Sequence, residues 1–468
     1  MPPKFIPVYF FLTLSILFST AVFAAEMIIP TQLATDDLPA MHKKTFIRAL
    51  VTYSKTDFFF YKGRPRGMQV EFLQQYENWL NTGIKQEEKK TKILYIPVTF
   101  DQLIPALLAG KGDIAAAMLT ITAQRSEKVN FATNGKMKVS EILVSHQDAD
   151  PVNNLEDLSG KLVYVLKNSS YAEHLRQLNQ QFKERGIASI KIAEANSNLR
   201  SEDILELINS GVRNYTVIDA YKGKLWAKVL PNLKLHENIT LTKNNQLGWA
   251  VRKNNPLLAE SLNTFAKKVK MGTLMGNMLF NRYYGKLTWI KNPNSEKERE
   301  KLKKFVLLFK KFATQYDFDH LALAAQAYQE SGLDNSKKSY RGAVGIMQLL
   351  PSTAADKNVN IPDIASVENN IHAGAKYLSF IRKRYFSNPE ISPESQFAFS
   401  WAAYNAGPGR VREMRALAKK MGLDPNQWFN HVEMAAGKIV GRETVQYVAN
   451  IYKYYIAYKL ADSDSLHL

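Results

Sequence analysis

The chain has 468 residues, 46% of them hydrophobic and 22% charged, which excludes a disordered or collagen-like chain and suggests two or three domains. Its 62 Lys and Arg outnumber 43 Asp and Glu to give a net charge of +19, a balance that favours an anionic partner such as a lipid surface, nucleic acid or an acidic cell-wall polymer. No basic run is interleaved with aromatics, which sets nucleic acid aside, and the absence of cysteine removes disulfides, thiol chemistry and a lipid-modified N-terminal cysteine.

Residues 1–24 read as a secretory signal peptide. Lys4 precedes an apolar run that ends in small residues, with Val22 and Ala24 placed for cleavage after Ala24. The alternative is an uncleaved membrane anchor. No later stretch reaches about 18 unbroken apolar residues, so the mature chain is expected to be exported and soluble.

From about 42 to 290, β-rich runs alternate with helical stretches. The segments 45–53 (TFIRALVTY), 92–100 (KILYIPVTF), 161–166 (KLVYVL) and 214–221 (NYTVIDAY) read as strands. Helices are expected over 70–81, 100–110 and 169–186. This alternation implies an α/β domain with largely parallel strands. Within 112–132, Arg125 follows a strand-like run and the hydroxyls of Thr120 and Thr122. Its two-pronged guanidinium suits a carboxylate, and Asp219 at the end of a strand could receive an ammonium group. Two unrelated surface charges would read the same way on composition alone.

These segments (KGRPRGMQVEFL, LLAGKGDIAAAMLTITAQRSEKVNFA and VIDAY, in that order) resemble the family 3 periplasmic solute-binding proteins. The resemblance implies a two-lobed clamp, with one lobe from about 42–140 plus 240–290 and the other between. It further implies that Arg125 holds a ligand carboxylate, beside Thr120, and that Asp219 holds its amino group. The sequence departs from the family pattern at Gly67-Met68-Gln69-Val70-Glu71, where Gly-Phe-Asp is usual, which leaves the ligand open between an amino acid and a muropeptide.

The polar, Lys/Glu-rich stretch 291–309 reads as a junction whose later part could begin a solvated helix. Beyond it, helical patterns separated by Gly, Pro and Asn fill residues 310–460. In AQAYQESGLD, Glu330 shares a helix face with Leu323 and Ala327, and Gly332 is placed to stop the helix. An acid in a last helical turn, on an apolar face, is held toward its protonated form by the helix dipole and by burial. That is what a general acid requires. Further along, Gly342 and Gly345 permit tight turns before Gln348, and Tyr404 and Asn405 precede a Gly-Pro-Gly break. Tyr447 lies on a final helix. An all-α unit with one acid and such Gln, Tyr and Asn side chains suggests a carbohydrate cleft.

The motifs ES, GxxGxMQxxP, AYNAG and ETxxYV, in this order, resemble the goose-lysozyme-like lytic transglycosylase domain. The resemblance implies a lysozyme-like fold with Glu330 as acid and then base, and with Ser331, Gln348, Tyr404, Asn405 and Tyr447 around the glycan. The implied reaction cuts peptidoglycan strands between N-acetylmuramic acid and N-acetylglucosamine and closes a 1,6-anhydro ring. No cofactor is implied, and no cluster has metal-ligand spacing. The expected location is the periplasm, peripheral at the outer membrane. The alternatives are a ligand receptor or wall-binding protein whose lysozyme-like unit is inactive or hydrolytic.

Overall fold

The computed structural model describes residues 33–61, 64–133, 135, 138–268 and 296–463. The expected signal peptide and the first five residues of the junction lie outside the described residues.

Among the described residues, eleven strands belong to the first half: β1 (Phe46–Val51), β2 (Phe59–Tyr61), β3 (Arg64–Arg66), β4 (Lys92–Pro97), β5 (Ile114–Thr120), β6 (Val129–Ala132), β7 (Lys138–His146), β8 (Leu162–Val165), β9 (Lys191–Glu194), β10 (Tyr215–Asp219) and β11 (Leu233–Arg252). Excepting the small β2–β3 hairpin, they follow the order β4-β1-β5-β11-β7-β10-β8-β9, with β6 also on β11. The 20-residue β11 belongs to both lobes: Leu233–Gln246 pairs with β7, and Leu247–Arg252 pairs with β5 and β6. The outer pairs β1–β4, β1–β5 and β8–β9 are parallel, as expected. Around the crossing, however, β11 runs antiparallel to β5, β6 and β7, and β10 runs antiparallel to β7. The sheets are therefore mixed. The chain passes between lobes along β7 and returns along β11, and such a return has to run in the opposite sense.

The four expected strands and the helices Met68–Leu80, Leu103–Leu108 and Ser170–Glu184 form close to their expected positions. β1 and β5 read as nearly unbroken apolar runs because both faces are covered.

From Glu296 onward the junction is helical, within the helix Glu296–Tyr316. Leu302, Phe309, Phe312 and Ala313 give it a buried stripe, while Lys301–Glu298 and Lys303–Glu300 pair one turn apart. The rest of the second half is built on the helices His320–Ser331, Val367–Tyr385, Pro393–Ala406, Pro408–Lys420, Glu433–Ile439 and Arg442–Ser463. The loop between Ser331 and Pro351 contains two isolated β-bridges.

The helical unit touches both lobes. Phe60 of the first lobe lies against Gly437, and Asn198 of the second donates to Glu394 at 3.1 Å. Between them is a buried charge cluster. Arg200 reaches Glu433 at 3.0 Å, Lys453 donates to Glu206 at 2.7 Å, and Lys55 pairs with Glu206 and lies 3.9 Å from Asp203. Burial and the neighbouring Asp203 push the Glu202 carboxyl up to about 7. With Glu202 protonated, Lys55, Arg200 and Lys453 balance Asp203, Glu206 and Glu433.

Candidate active site

Asp319 starts the helix that carries the acid. Its carboxylate accepts from Leu321 N at 2.8 Å and from Ala322 N at 3.4 Å. Gly332 stops the same helix in the left-handed conformation, with φ +69°. Between these caps Leu321 to Tyr328 are buried, so Glu330 emerges half-buried in the last turn, at the edge of an apolar face. The helix Arg442–Ser463 packs along this one and fixes it at two places: Tyr455 donates to Asp319 at 2.7 Å, and Tyr447 donates to Glu330 Oε1 at 2.5 Å. Burial pushes the Glu330 carboxyl up to about 7, and the Tyr447 hydroxyl opposes that rise. Burial, then the charge of Glu330, holds the Tyr447 phenol well above its ordinary range.

Ser331 is buried. Its Oγ lies 2.8 Å from Ile346 O and 3.1 Å from Ala327 O, and accepts from Asp334 N at 3.1 Å. Its hydroxyl thus ties the helix end to the glycine-bearing loop. Asp334 is exposed and accepts from the backbone and hydroxyl of Ser336, as a turn residue. Gln348 spends its NH2 on Lys337 O and Gly345 O, at 3.0 and 2.9 Å. Tyr404 donates to Met347 O at 2.7 Å, and its ring meets Tyr377 with centroids 5.4 Å apart. Asn405 is exposed, and its Oδ1 accepts from Thr444 at 2.8 Å. Tyr404 and Tyr447 both feel the charge of Glu330, which brings the acid, the two phenols and the loop into one site.

Two residues here escaped the sequence reading. Asn370, fully buried, accepts from Met347 N at 2.8 Å and donates to Val344 O and Ile364 O at 3.0 and 3.2 Å. It holds the loop from behind. Gly345, at φ +82°, leaves room for it: a Cβ there would meet the Asn370 amide nitrogen at 2.2 Å. Gln326, one turn before Glu330, is fully buried and donates to the Tyr447 hydroxyl at 3.3 Å. The signal for both was a polar amide inside an apolar helical pattern (AAQAYQE and ENNIHAGA).

In the clamp, Arg125 is buried at a cavity of about 400 Å³ that Asn168, Ser169 and Glu173 also line. Its guanidinium donates to Thr120 O at 3.0 Å and Asn168 O at 3.1 Å, so one lobe grips the other through it. The Thr120 side chain is buried beside it. Asp219 directly precedes the helix Ala220–Ala227 without a side-chain capping bond to it, and its carboxylate lies 3.6 Å from the Lys222 ammonium. Burial raises the Asp219 carboxyl. A smaller cavity of about 40 Å³, lined by Thr52, Ser54, Asp57, Lys222 and Trp226, adjoins this pair. Among the described residues no group of three or more His, Cys, Asp and Glu is placed to hold a metal ion.

Residues 307–426 match the transglycosylase SLT domain, which ends short of Tyr447, and residues 47–286 match the bacterial extracellular solute-binding proteins, family 3. The chain is 28% identical to a membrane-bound lytic murein transglycosylase F of Desulfosudis oleivorans, over 87% of this chain and 89% of that one. It is 27% identical to a protein of the same name from Pseudomonas fluorescens, over 87% of this chain and 84% of the relative. Among solved structures, holo ArgBP from T. maritima aligns with a TM-score of 0.40 at 20% identity, over 53% of this chain and 99% of that one. Matched over more than half its length, the chain belongs to the bacterial extracellular solute-binding proteins, family 3, and carries behind that module a transglycosylase SLT domain, the two-part architecture expected of the lytic murein transglycosylase F relatives.

Proposed function

We propose that the chain is a peptidoglycan lytic transglycosylase, cutting the β-1,4 bond between N-acetylmuramic acid and N-acetylglucosamine and leaving 1,6-anhydromuramyl ends. The observation that carries this reading is a single carboxyl, Glu330, held near neutrality by burial and tied to a phenol. Glu330 is the carboxyl whose charge reaches both Tyr404 and Tyr447, and Asp334 is committed to its turn. One group must then serve as acid and as base. Protonated Glu330 gives its proton to the glycosidic oxygen as the C1–O bond breaks. The substrate's 2-acetamido group supports the developing positive charge, and the carboxylate then takes the proton of the muramyl 6-hydroxyl as O6 bonds to C1. An attacking hydroxyl already on the substrate has a high effective concentration, which favours ring closure over water.

Around the acid, Gln348 retains Oε1 as an acceptor for a sugar hydroxyl or acetamido N–H, and Asn405 retains its NH2 as a donor to a carbonyl. Tyr404 offers its ring to the glycan, Tyr447 steadies Glu330, and Ser331 sets the angle between the helix end and the loop. Reaction in water enriched with heavy oxygen tests the closure. The cut ends gain no solvent oxygen if the ring closes, and one atom per cut if the enzyme is a hydrolase.

The clamp is proposed to take a small ligand, an amino acid or muropeptide, through Arg125, Thr120 and Asp219, and to bias catalysis through the buried interface. An ammonium-bearing ligand would have to displace Lys222 from Asp219. Calorimetry with arginine, glutamine and a muropeptide, on the wild type and on Asp219→Ala, tests this. No heat with any of them removes the proposed sensor. The relatives are named membrane-bound, and among the described residues no helix is long and apolar enough to cross a membrane. We place the protein in the periplasm, peripheral at the outer membrane, and fractionation of cells tests that placement.

A further inference from the structure

We propose that Gln326 is a positioning residue for the reaction, fixing the direction of the hydrogen bond from Tyr447 to Glu330 and so confining the catalytic proton to Glu330 Oε2. The inference rests on the reading of Glu330 as the acid.

Gln326 has no exposed surface, and the four residues before it, Ala322 to Ala325, are buried with it. A leucine or methionine would fill the same space without desolvating an amide. The glutamine instead leaves its Oε1 without a hydrogen bond among the described residues. Such an orphan is costly to keep, so the other end of the amide is where its use must lie. That end, Nε2, donates to the Tyr447 hydroxyl at 3.3 Å, while the same hydroxyl meets Glu330 Oε1 at 2.5 Å.

The phenol has one hydrogen to give. Once its oxygen accepts from Gln326, that hydrogen is directed to Glu330 Oε1. The opposite orientation of the amide would draw the hydrogen away and set a phenol lone pair against the carboxylate. Glu330 lies four residues after Gln326 on the same helix, so one face presents both partners to Tyr447. With Oε1 kept as an acceptor, the acidic proton resides on Oε2. That oxygen has no hydrogen bond among the described residues, and it releases and recovers the proton without a competing site. The titratable groups that face Glu330 are Tyr447 from the last helix and Tyr404 from the helix Pro393–Ala406, both neutral below the phenol range. Neither supplies a charge that could fix the proton instead.

The test replaces the amide with apolar side chains of similar length, Gln326→Leu and Gln326→Met, two variants in case one fails to fold. Without the donor, the Tyr447 hydroxyl can turn and accept from the protonated carboxyl, which stabilises the acid form. The alkaline limb of the kcat–pH profile should move to higher pH. Below that limb kcat should fall roughly ten-fold, with KM within about two-fold. In a Tyr447→Phe background, removing Gln326 should move the limb no further. Carbon-13 titration of the Glu330 carboxyl, assigned through Glu330→Gln, reads the same upward shift without turnover. If wild-type protein releases no anhydromuramyl product, the transglycosylase reading fails while this titration still judges the relay. A limb and a titration that stay where the wild type has them, whatever happens to kcat, would reduce Gln326 to a packing residue.

Discussion

Lys453→Met should be among the most damaging single changes far from the acid. Lys453 is fully buried on the helix that also carries Tyr447, 2.7 Å from Glu206 and 3.6 Å from Asp203. Without its ammonium, those two carboxylates are left to Lys55, which sits 3.9 Å from Asp203, and to Arg200, which is shared with Glu433. One buried negative charge is then uncompensated, at a cost of about 3–5 kcal/mol. In an unfolding unit of about 150–250 residues, the size of the helical half or of the clamp, that corresponds to a thermal transition lowered by roughly 10 °C. The double variant Lys453→Met, Glu206→Met removes one charge of each sign. It should recover to within about 1 kcal/mol of wild type, because a matched apolar pair replaces an ion pair at little cost. Scanning calorimetry at pH 7 on the wild type, both single variants and the double variant measures this. A Lys453→Met transition within about 2 °C of wild type, or a double variant as unstable as the single, would refute the charge-balance argument.

Gly345→Ala forces a side chain into φ +82° and a Cβ onto the Asn370 amide, putting three hydrogen bonds at risk. A loss of about 2–4 kcal/mol is expected by urea unfolding, and a loss below about 0.5 would show that the loop adapts. Tyr447→Phe removes the hydrogen bond that opposes burial, so the Glu330 carboxyl should rise above its value of about 7. The alkaline limb of activity should rise with it while kcat drops roughly 10–100-fold, and a limb that falls would contradict the assignment. Because the folded-state value lies above the ordinary carboxylate value, the protonated acid favours folding. That contribution is whole below pH 4.5 and is lost as pH rises through about 7. Glu330→Gln should accordingly be neutral at pH 4.5 and stabilising at pH 8, by up to about 3 kcal/mol, when thermal unfolding is compared at the two values. Destabilisation at pH 8 would mean that the acid sits comfortably ionised.

The sequence was most readable where periodicity and chemistry agree. An acid on the apolar face of AQAYQESGLD, with glycine two residues beyond, describes the observed helix end, and the nearly unbroken apolar runs of β1 and β5 announce strands covered on both faces. The long crossing strand β11 went unread because its first part, LKLHENITLTKNNQ, is half-exposed and rich in Lys, Asn and Thr, and so lacks a buried alternation. The antiparallel pairs around β7 and β11 were therefore not foreseen. Gln326 and Asn370 carried a signal, an amide inside an apolar helical pattern, but their roles could not be read from it: each acts through a partner 121 or 23 positions away, and single-sequence spacing says nothing about such pairs. The interface cluster is hidden likewise, since ordinary surface lysines and glutamates read identically to Lys453 and Glu206 until the fold buries them.

The central claim, one half-buried carboxyl working as acid and then base, is tested most directly by mass spectrometry of the sugars released from purified murein sacculi by the purified protein, with Glu330→Gln beside it. The account predicts muramyl ends lighter by one water than hydrolysed ends, produced by the wild type and absent with the variant. Reducing muramyl ends, or anhydro ends that persist in Glu330→Gln, would contradict it.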